Sequence, residues 1–522
     1  MADYVRARAA DASGSLAEAA RGYGAALAAR PDDPVIALRA YRQGLAAGDF
    51  AVALRAAAAL DKAGALPADG MLLLAARTIR EGNWAAADAG IARVNKDAGF
   101  NFLAPVLTAW ARRGSGQGDP MAALDGPFPS SLTSAYAAEH RALMLFALGR
   151  TDDAVTAVQA LGGTGDPRMT GLRIAAAARL IALNRRETAL SVLRGDDPLI
   201  RSARALVQAG KPLTGGIETP AEAASELFAR LAMDISRERS SPIVLALSRI
   251  AEYLDPASDA ARFSAMRALV AGGYDADAAL LLDRIGADSP YAGVATDARV
   301  TLLLGQDEDR RALDIAAAAA ARPDARLADL ARVGDIHARL KQHREAAAAY
   351  DRAIAFVEAN AATDGSEPLW TLWMLKGSVL EQGGDWRGAL PALKKAVELA
   401  PQQATALNYL GYAQLERGEN VKEATALVAR ASALRPDDAA ITDSLGWAYF
   451  LNGDTGRAIE ALERAALSEP ADPTINEHLG DAYWQAGRRY EARYAWRAAS
   501  VQADEATLQR LTDKLANGPA AR

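Results

Sequence analysis

Apolar residues along this chain recur at spacings of three and four, in segments of roughly a dozen residues separated by short turns rich in Gly, Asn and Asp. That period predicts amphipathic helices. No segment shows the two-residue alternation of a strand, so the expected fold class is all-α. The helices also repeat. Near the start, Gly14, Gly48 and Gly82 are 34 residues apart, and Ala19, Ala53 and Ala87 keep the same interval. Near the end, Gly446 to Gly480, Ala458 to Ala492, Ala465 to Ala499 and Pro436 to Pro470 each span 34. One step earlier, Gly411 to Gly446 and Pro401 to Pro436 span 35, which places a one-residue insertion in the turn around Glu419 to Val421.

The markers within one period follow the order W-x2-L-G-x2-Y, then A-x3-F, then P. Leu445, Gly446 and Tyr449 precede Ala458, Leu462, Ala465 and Pro470; Leu479, Gly480 and Tyr483 precede Ala492, Trp496 and Ala499. Trp373, Gly377, Ala389, Leu393, Ala396 and Pro401 form an earlier copy, and Ala19, Tyr23, Ala26 and Pro31 the second half of the first. Small residues are needed where two helices cross closely, large ones fill the gap beside them, and Pro ends the second helix. The pattern resembles the tetratricopeptide repeat, which implies a superhelical solenoid of antiparallel helix pairs. The expected organisation is N-terminal repeats over residues 1–210, an irregular joint over 211–240, and C-terminal repeats over 241–522, clearest at 370–503. Loops are expected at Arg112 to Ser131, Gly210 to Pro220 and Ala359 to Pro368.

Composition narrows the function. Half of the 522 residues are hydrophobic (51%) but only 6% are aromatic, so the core must be built from small side chains on closely packed helices. A formal charge of -6 gives no basic face for nucleic acid. The absence of cysteine removes disulfides, thiolate metal sites and cysteine nucleophiles. No apolar run is long enough to span a membrane. The first repeat begins almost at Met1, and the expectation is a trimmed form of an exported precursor. His140, His337, His343 and His478 are the only histidines, lack the spacing of a helical zinc pair, and read as polar helix-surface residues. Gly114, Gly116 and Gly118 lack the following Lys-Ser or Lys-Thr of a phosphate loop and read as a joint. No cofactor, metal or catalytic residue is expected.

What remains is a surface. In a solenoid of helix pairs the first helix of each pair lines the concave side, where a peptide or protein segment binds. With Leu445, Gly446 and Tyr449 on the packed side, helical phase puts Asp443, Trp447 and Phe450 on the groove. One repeat later the groove residues are Glu477, Asp481 and Trp484; one repeat earlier, Asn408, Tyr412 and Leu415. Trp447 and Trp484 are the expected anchors, and the carboxylates favour a partner with Lys or Arg beside apolar residues. Trp373 and Trp496 are assigned to the core.

The strings LNYLGY at 407–412, DSLGWAY at 443–449 and INEHLGDAYWQAGRRYEARYAW at 475–496 carry a narrower resemblance. They resemble a bacterial family of repeat proteins, usually bearing an export leader, related to the outer-membrane lipoprotein that serves as adaptor for a carboxy-terminal processing protease. That resemblance implies a periplasmic or outer-membrane-associated protein whose partner is a protease or its substrates. The leader is expected to have been trimmed, and the sequence departs from that family in having no cysteine to carry a lipid, which bears on membrane anchoring. Two other readings stay open at this point: a cytoplasmic assembly or regulatory scaffold, and an enzyme whose site lies within residues 200–300.

Overall fold

A computed structural model describes residues 2–128, 130–162, 167–236, 242–359 and 369–519. Among these residues the chain forms twenty-nine α-helices and no strand, in two compact units divided between Asp307 and Glu308. The fold class is all-α, built from antiparallel helix pairs.

The first unit opens with three pairs: α1 (Ala2–Ala12), α2 (Leu16–Ala29), α3 (Pro34–Ala47), α4 (Phe50–Lys62), α5 (Ala68–Arg80) and α6 (Trp84–Lys96). It continues through α7 (Ala104–Ser115), α8 (Ser131–Ala147), α9 (Thr151–Ala160), α10 (Thr170–Ala182), α11 (Arg186–Val192) and α12 (Pro198–Gln208). The last five are α13 (Pro220–Ser236), α14 (Pro242–Leu254), α15 (Asp259–Ala271), α16 (Asp275–Leu282) and α17 (Ala292–Gly305). Helices α13 and α14 pack on each other and turn back onto α5; α14 also meets α3, and α13 meets α7. Leu227, Phe228, Leu247 and Ile250 are fully buried there. The first-helix face of the early repeats, where a partner would lie in an open solenoid, is thus covered by the chain's own hairpin. Arg249 of α14 fastens it by donating two hydrogen bonds to the Ala46 carbonyl near the end of α3, at 2.8 and 3.1 Å.

This corrects the expected joint at 211–240. Residues 209–219 are irregular, but Pro220–Ser236 is a helix buried in the core of the first unit, and the compact units part at 307 and 308 instead. A break in repeat phase there marks the chain leaving the stack to pack across it. The Arg112 to Ser131 segment is irregular over 116–128 apart from one short turn at Met121–Ala123. Positions 360–368 of the third expected loop lie outside the described residues.

The second unit starts with α18 (Asp309–Ala320), α19 (Leu327–Arg339), α20 (His343–Ala359), α21 (Leu369–Gln382), α22 (Trp386–Leu399) and α23 (Ala404–Glu416). It ends with α24 (Val421–Leu434), α25 (Ala439–Leu451), α26 (Thr455–Ser468), α27 (Pro473–Gln485), α28 (Arg489–Ser500) and α29 (Glu505–Asn517). From α19 to α28 the helices form successive hairpins, each packed on the next. Aspartates begin many of them: Asp438, Asp454, Asp472 and Asp504 each accept a hydrogen bond from a backbone N–H in the first turn. The small-against-large reading holds. A Cβ on Gly446 would meet the Leu462 side chain at 2.6 Å, and one on Gly480 would meet the Trp496 ring at 2.3 Å. The inserted residue is visible too: residues 417–420 join α23 to α24, whereas 452–454 suffice between α25 and α26. Asn420 takes up the extra length in the left-handed region, with φ of 48°.

Candidate protein-binding face

The first helices α23, α25 and α27 carry the residues that helical phase places on the groove side. The structure brings them onto one wall but withdraws half of them from solvent. Trp447 is 3% exposed, Asp443 5%, and Glu477 and Asp481 7% each. Asn408, Tyr412, Phe450 and Trp484 are half-buried, and Leu415 is buried. Adjacent first helices stand close enough for their polar side chains to pair with one another.

The pairing runs along the wall as a ladder. Arg417 donates to Glu381 at 2.6 Å, and the Trp447 Nε1–H donates to Glu416 at 2.7 Å. His478 Nδ1 lies 3.0 Å from both Asp443 oxygens, and its ring stacks on Trp447 with centroids 4.0 Å apart. Phe450 stacks on the same indole at 4.8 Å. The last rungs come from α29, which stands where the first helix of a further pair would stand. Its Arg510 donates twice to Glu477 at 2.8 Å, and its Lys514 reaches Glu477 at 2.7 Å and Asp481 at 2.7 and 2.8 Å. Asp481 also accepts from Trp496 Nε1 at 3.0 Å.

Electrostatics follow. Burial alone would raise the Glu477 pKa, but the hydrogen bonds and charges of Arg510 and Lys514 outweigh it and hold the carboxyl at about 2. Burial opposes charge on His478, yet the adjacent Asp443 carboxylate prevails and raises its pKa. The carboxylates expected to greet a basic partner are therefore answered within the chain. Trp447 and Trp484 are likewise not free anchors. Trp447 is enclosed by His478 and Phe450, while Trp484 lies against Trp496, under Arg489, whose guanidinium is 3.8 Å from the ring centroid. Helical phase gives the side a residue faces, but not whether the next helix has already filled it.

Trp496 is core, as expected, whereas Trp373 is only half-buried. Two histidines depart from the surface reading: His478 is 7% exposed and His140 fully buried. His140 belongs to a network that the sequence reading missed. It accepts a hydrogen bond at Nδ1 from Trp110 Nε1 at 3.1 Å, and since indole only donates, Nε2 carries the proton, 3.2 Å from Glu226. Arg230 of α13 donates to Asp234 at 3.0 Å and to Glu139 at 3.5 Å, and Tyr136 donates to Asp234 at 2.8 Å. Burial, then the neighbouring Glu226 charge, push Glu139 up to about 7. The enzyme reading expected a polar cluster within 200–300, and α13 supplies one. Its charged groups are paired across α8 and α13, so its evident effect is to pin that helix in place.

Of the expected groove residues on α23 and α25, Asn408, Tyr412 and Phe450 keep part of their surface, and Glu416 beside them is exposed. Asn408 Oδ1 is buried and has no hydrogen-bond partner among the described residues.

Residues 374–439 and 444–506 match the tetratricopeptide repeat family, and over that stretch the chain is a tetratricopeptide repeat protein. No curated protein matches the chain. Among solved structures it is similar to MamA, 24% identical, covering 38% of this chain and 97% of that one with a TM-score of 0.28. A tetratricopeptide repeat protein from Parabacteroides merdae is 15% identical, covers 49% and 98%, and has a TM-score of 0.40. A thermophilic repeat protein of Thermus thermophilus is 22% identical, covers 37% and 100%, and has a TM-score of 0.31.

Proposed function

We propose that this chain is a non-enzymatic adaptor that holds an extended protein segment against α21, α23 and α25 of its second unit. Repeats of this class are protein-interaction scaffolds. The observation that carries the narrower reading is the pair Tyr412 and Phe450: two aromatic side chains on the first helices α23 and α25 that stay half-buried while the carboxylates and Trp447 around them are withdrawn from solvent. Tyr412 and Phe450 supply apolar contact, and the ladder beneath them fixes the wall in advance, which lowers the ordering cost of binding. We place the adaptor in the bacterial envelope, acting on a protease or its substrates; the support is the sequence strings at 407–412, 443–449 and 475–496.

The test is capture by the full chain from separated envelope and cytosolic extracts, beside a Tyr412→Ala, Phe450→Ala double variant. A partner taken from the envelope extract and lost in the double variant supports both parts. Partners found only in cytosol overturn the location, and partners held equally by the double variant overturn the site.

A further inference from the structure

The three residues that helical phase places on the groove side of α27 are all covered by one segment of the chain. Arg510 and Lys514 of α29 donate to Glu477, and Lys514 donates also to Asp481. The backbone at Gly518 lies against the Trp484 ring, so closely that a Cβ there would meet it at 2.1 Å. This segment has the chemistry that an acidic surface with an aromatic edge selects: cations at 510 and 514, one turn apart, each followed by a leucine. Leu511 is fully buried with Trp496 and Ala499, and Leu515 packs beside them with Trp484. Helix α29 thus sits on α27 as a bound basic amphipathic helix would.

Its attachment is slight. Helix α27 buries every residue from Ile475 to Ala482, whereas within α29 only Leu511 is buried. The link from α28, residues 501–504, is irregular, and Val501 in it is 81% exposed. The Arg510 side chain is itself half exposed. Departure of α29 therefore takes only one fully buried side chain from the repeats, which puts this helix among the least stable parts of the array. It would uncover two carboxylates and an indole, and the carboxylates would then be answered by water or by the cations of another helix.

We propose that Glu477, Asp481 and Trp484 form a second binding site, closed by α29, whose ligand is a basic amphipathic helix of another protein. That ligand carries two cations one turn apart, each with an apolar residue beside it. Helix α29 is the built-in competitor, so the site opens only to a ligand that displaces it. This goes beyond the adaptor face on α21, α23 and α25 and does not depend on it, since the residues differ and the test needs no captured partner.

The experiment is fluorescence anisotropy with a labelled peptide of residues 501–519, titrated with the full chain and with the full-chain Arg510→Ala, Lys514→Ala variant. The substitutions loosen α29, and circular dichroism checks that the preceding repeats stay folded. The peptide should bind the variant more tightly than the parent by about tenfold or more, because the parent's site is free only in the fraction of molecules whose α29 has left. A redesigned peptide that keeps Arg510, Leu511, Lys514 and Leu515, with alanine or glutamine elsewhere, should bind the variant nearly as well. A peptide with alanine at 510 and 514 should bind more weakly by about tenfold or more. On the parent itself, excess redesigned peptide should speed hydrogen exchange in α29, a readout that does not rely on the variant. Absence of peptide binding to the variant at millimolar concentration would overturn the proposal, since α29 would then be a fixed cap. So would equal binding to parent and variant, equal binding of the alanine peptide, or exchange in α29 that excess peptide leaves unchanged.

Discussion

Replacing Glu477 by Gln should loosen α29 while the preceding repeats stay folded. Glu477 receives two hydrogen bonds from Arg510 and one from Lys514, and its carboxyl is held at about 2 against an ordinary 4.5. That difference corresponds to about 3 kcal/mol favouring the folded charged form at neutral pH. Arg510 is half exposed and its share is screened, Lys514 keeps Asp481, and Gln retains an accepting oxygen. The expected loss is therefore about 2 kcal/mol, confined to the last helix because repeats couple only to neighbours. A carboxyl whose folded pKa is depressed stabilises above its unfolded pKa, and the contribution disappears as pH falls from about 4.5 towards 2. Native-state hydrogen exchange on α29 reads this directly: at neutral pH its amides should exchange about thirtyfold faster in Glu477→Gln, and the acid-induced loss of protection should be largely absent. Unchanged exchange in α29 would mean that Leu511 packing alone holds the helix, and the reasoning from the ladder would fail.

Gly480→Ala should destabilise the second unit by about 1–3 kcal/mol, because the added methyl meets the fully buried Trp496 ring; an unchanged urea midpoint would contradict the close crossing. Glu139 has a folded pKa raised to about 7, so its contribution is present in acid and lost as pH rises through neutrality. Glu139→Gln should remove that part of the pH slope in urea titrations, and an identical slope would count against the buried network. His478 also has a raised folded pKa, so its stabilising charge is present in acid and lost as pH rises through that pKa. Asp443→Asn should lower the His478 pKa in an NMR titration, and no shift would show that the pair at 3.0 Å is not formed.

Much of the repeat architecture was legible because its contacts are local. Gly446 and Leu462, or Gly480 and Trp496, are sixteen residues apart, and their interval recurs along the sequence. The packing of α13 and α14 across the early repeats was not legible. It rests on contacts such as Arg249 to Ala46 and Tyr136 to Asp234, separated by 203 and 98 residues, for which periodicity carries no signal. Helical phase groups the proposed groove residues on one side of their helices, but it cannot report the filling of the space in front of them. A signal existed: Arg510 and Lys514 each follow an acid by 33 residues, Glu477 and Asp481, and His478 follows Asp443 by 35. Opposite charges at the repeat interval indicate rungs between neighbouring helices, and reading them separates the paired carboxylates from the half-buried Tyr412 and Phe450.

The proposed binding face is tested most directly by photo-crosslinking. A photoreactive residue is introduced in place of Tyr412 on α23, and separately in place of Glu460, exposed on the second-helix side at α26. Each full chain is irradiated with its captured partner, and the crosslinked peptides are sequenced by mass spectrometry. Crosslinks to one continuous partner segment from position 412 and none from 460 are the predicted result. Crosslinks from 460 with none from 412 would contradict the account, because the partner would then lie on the opposite side of the repeats.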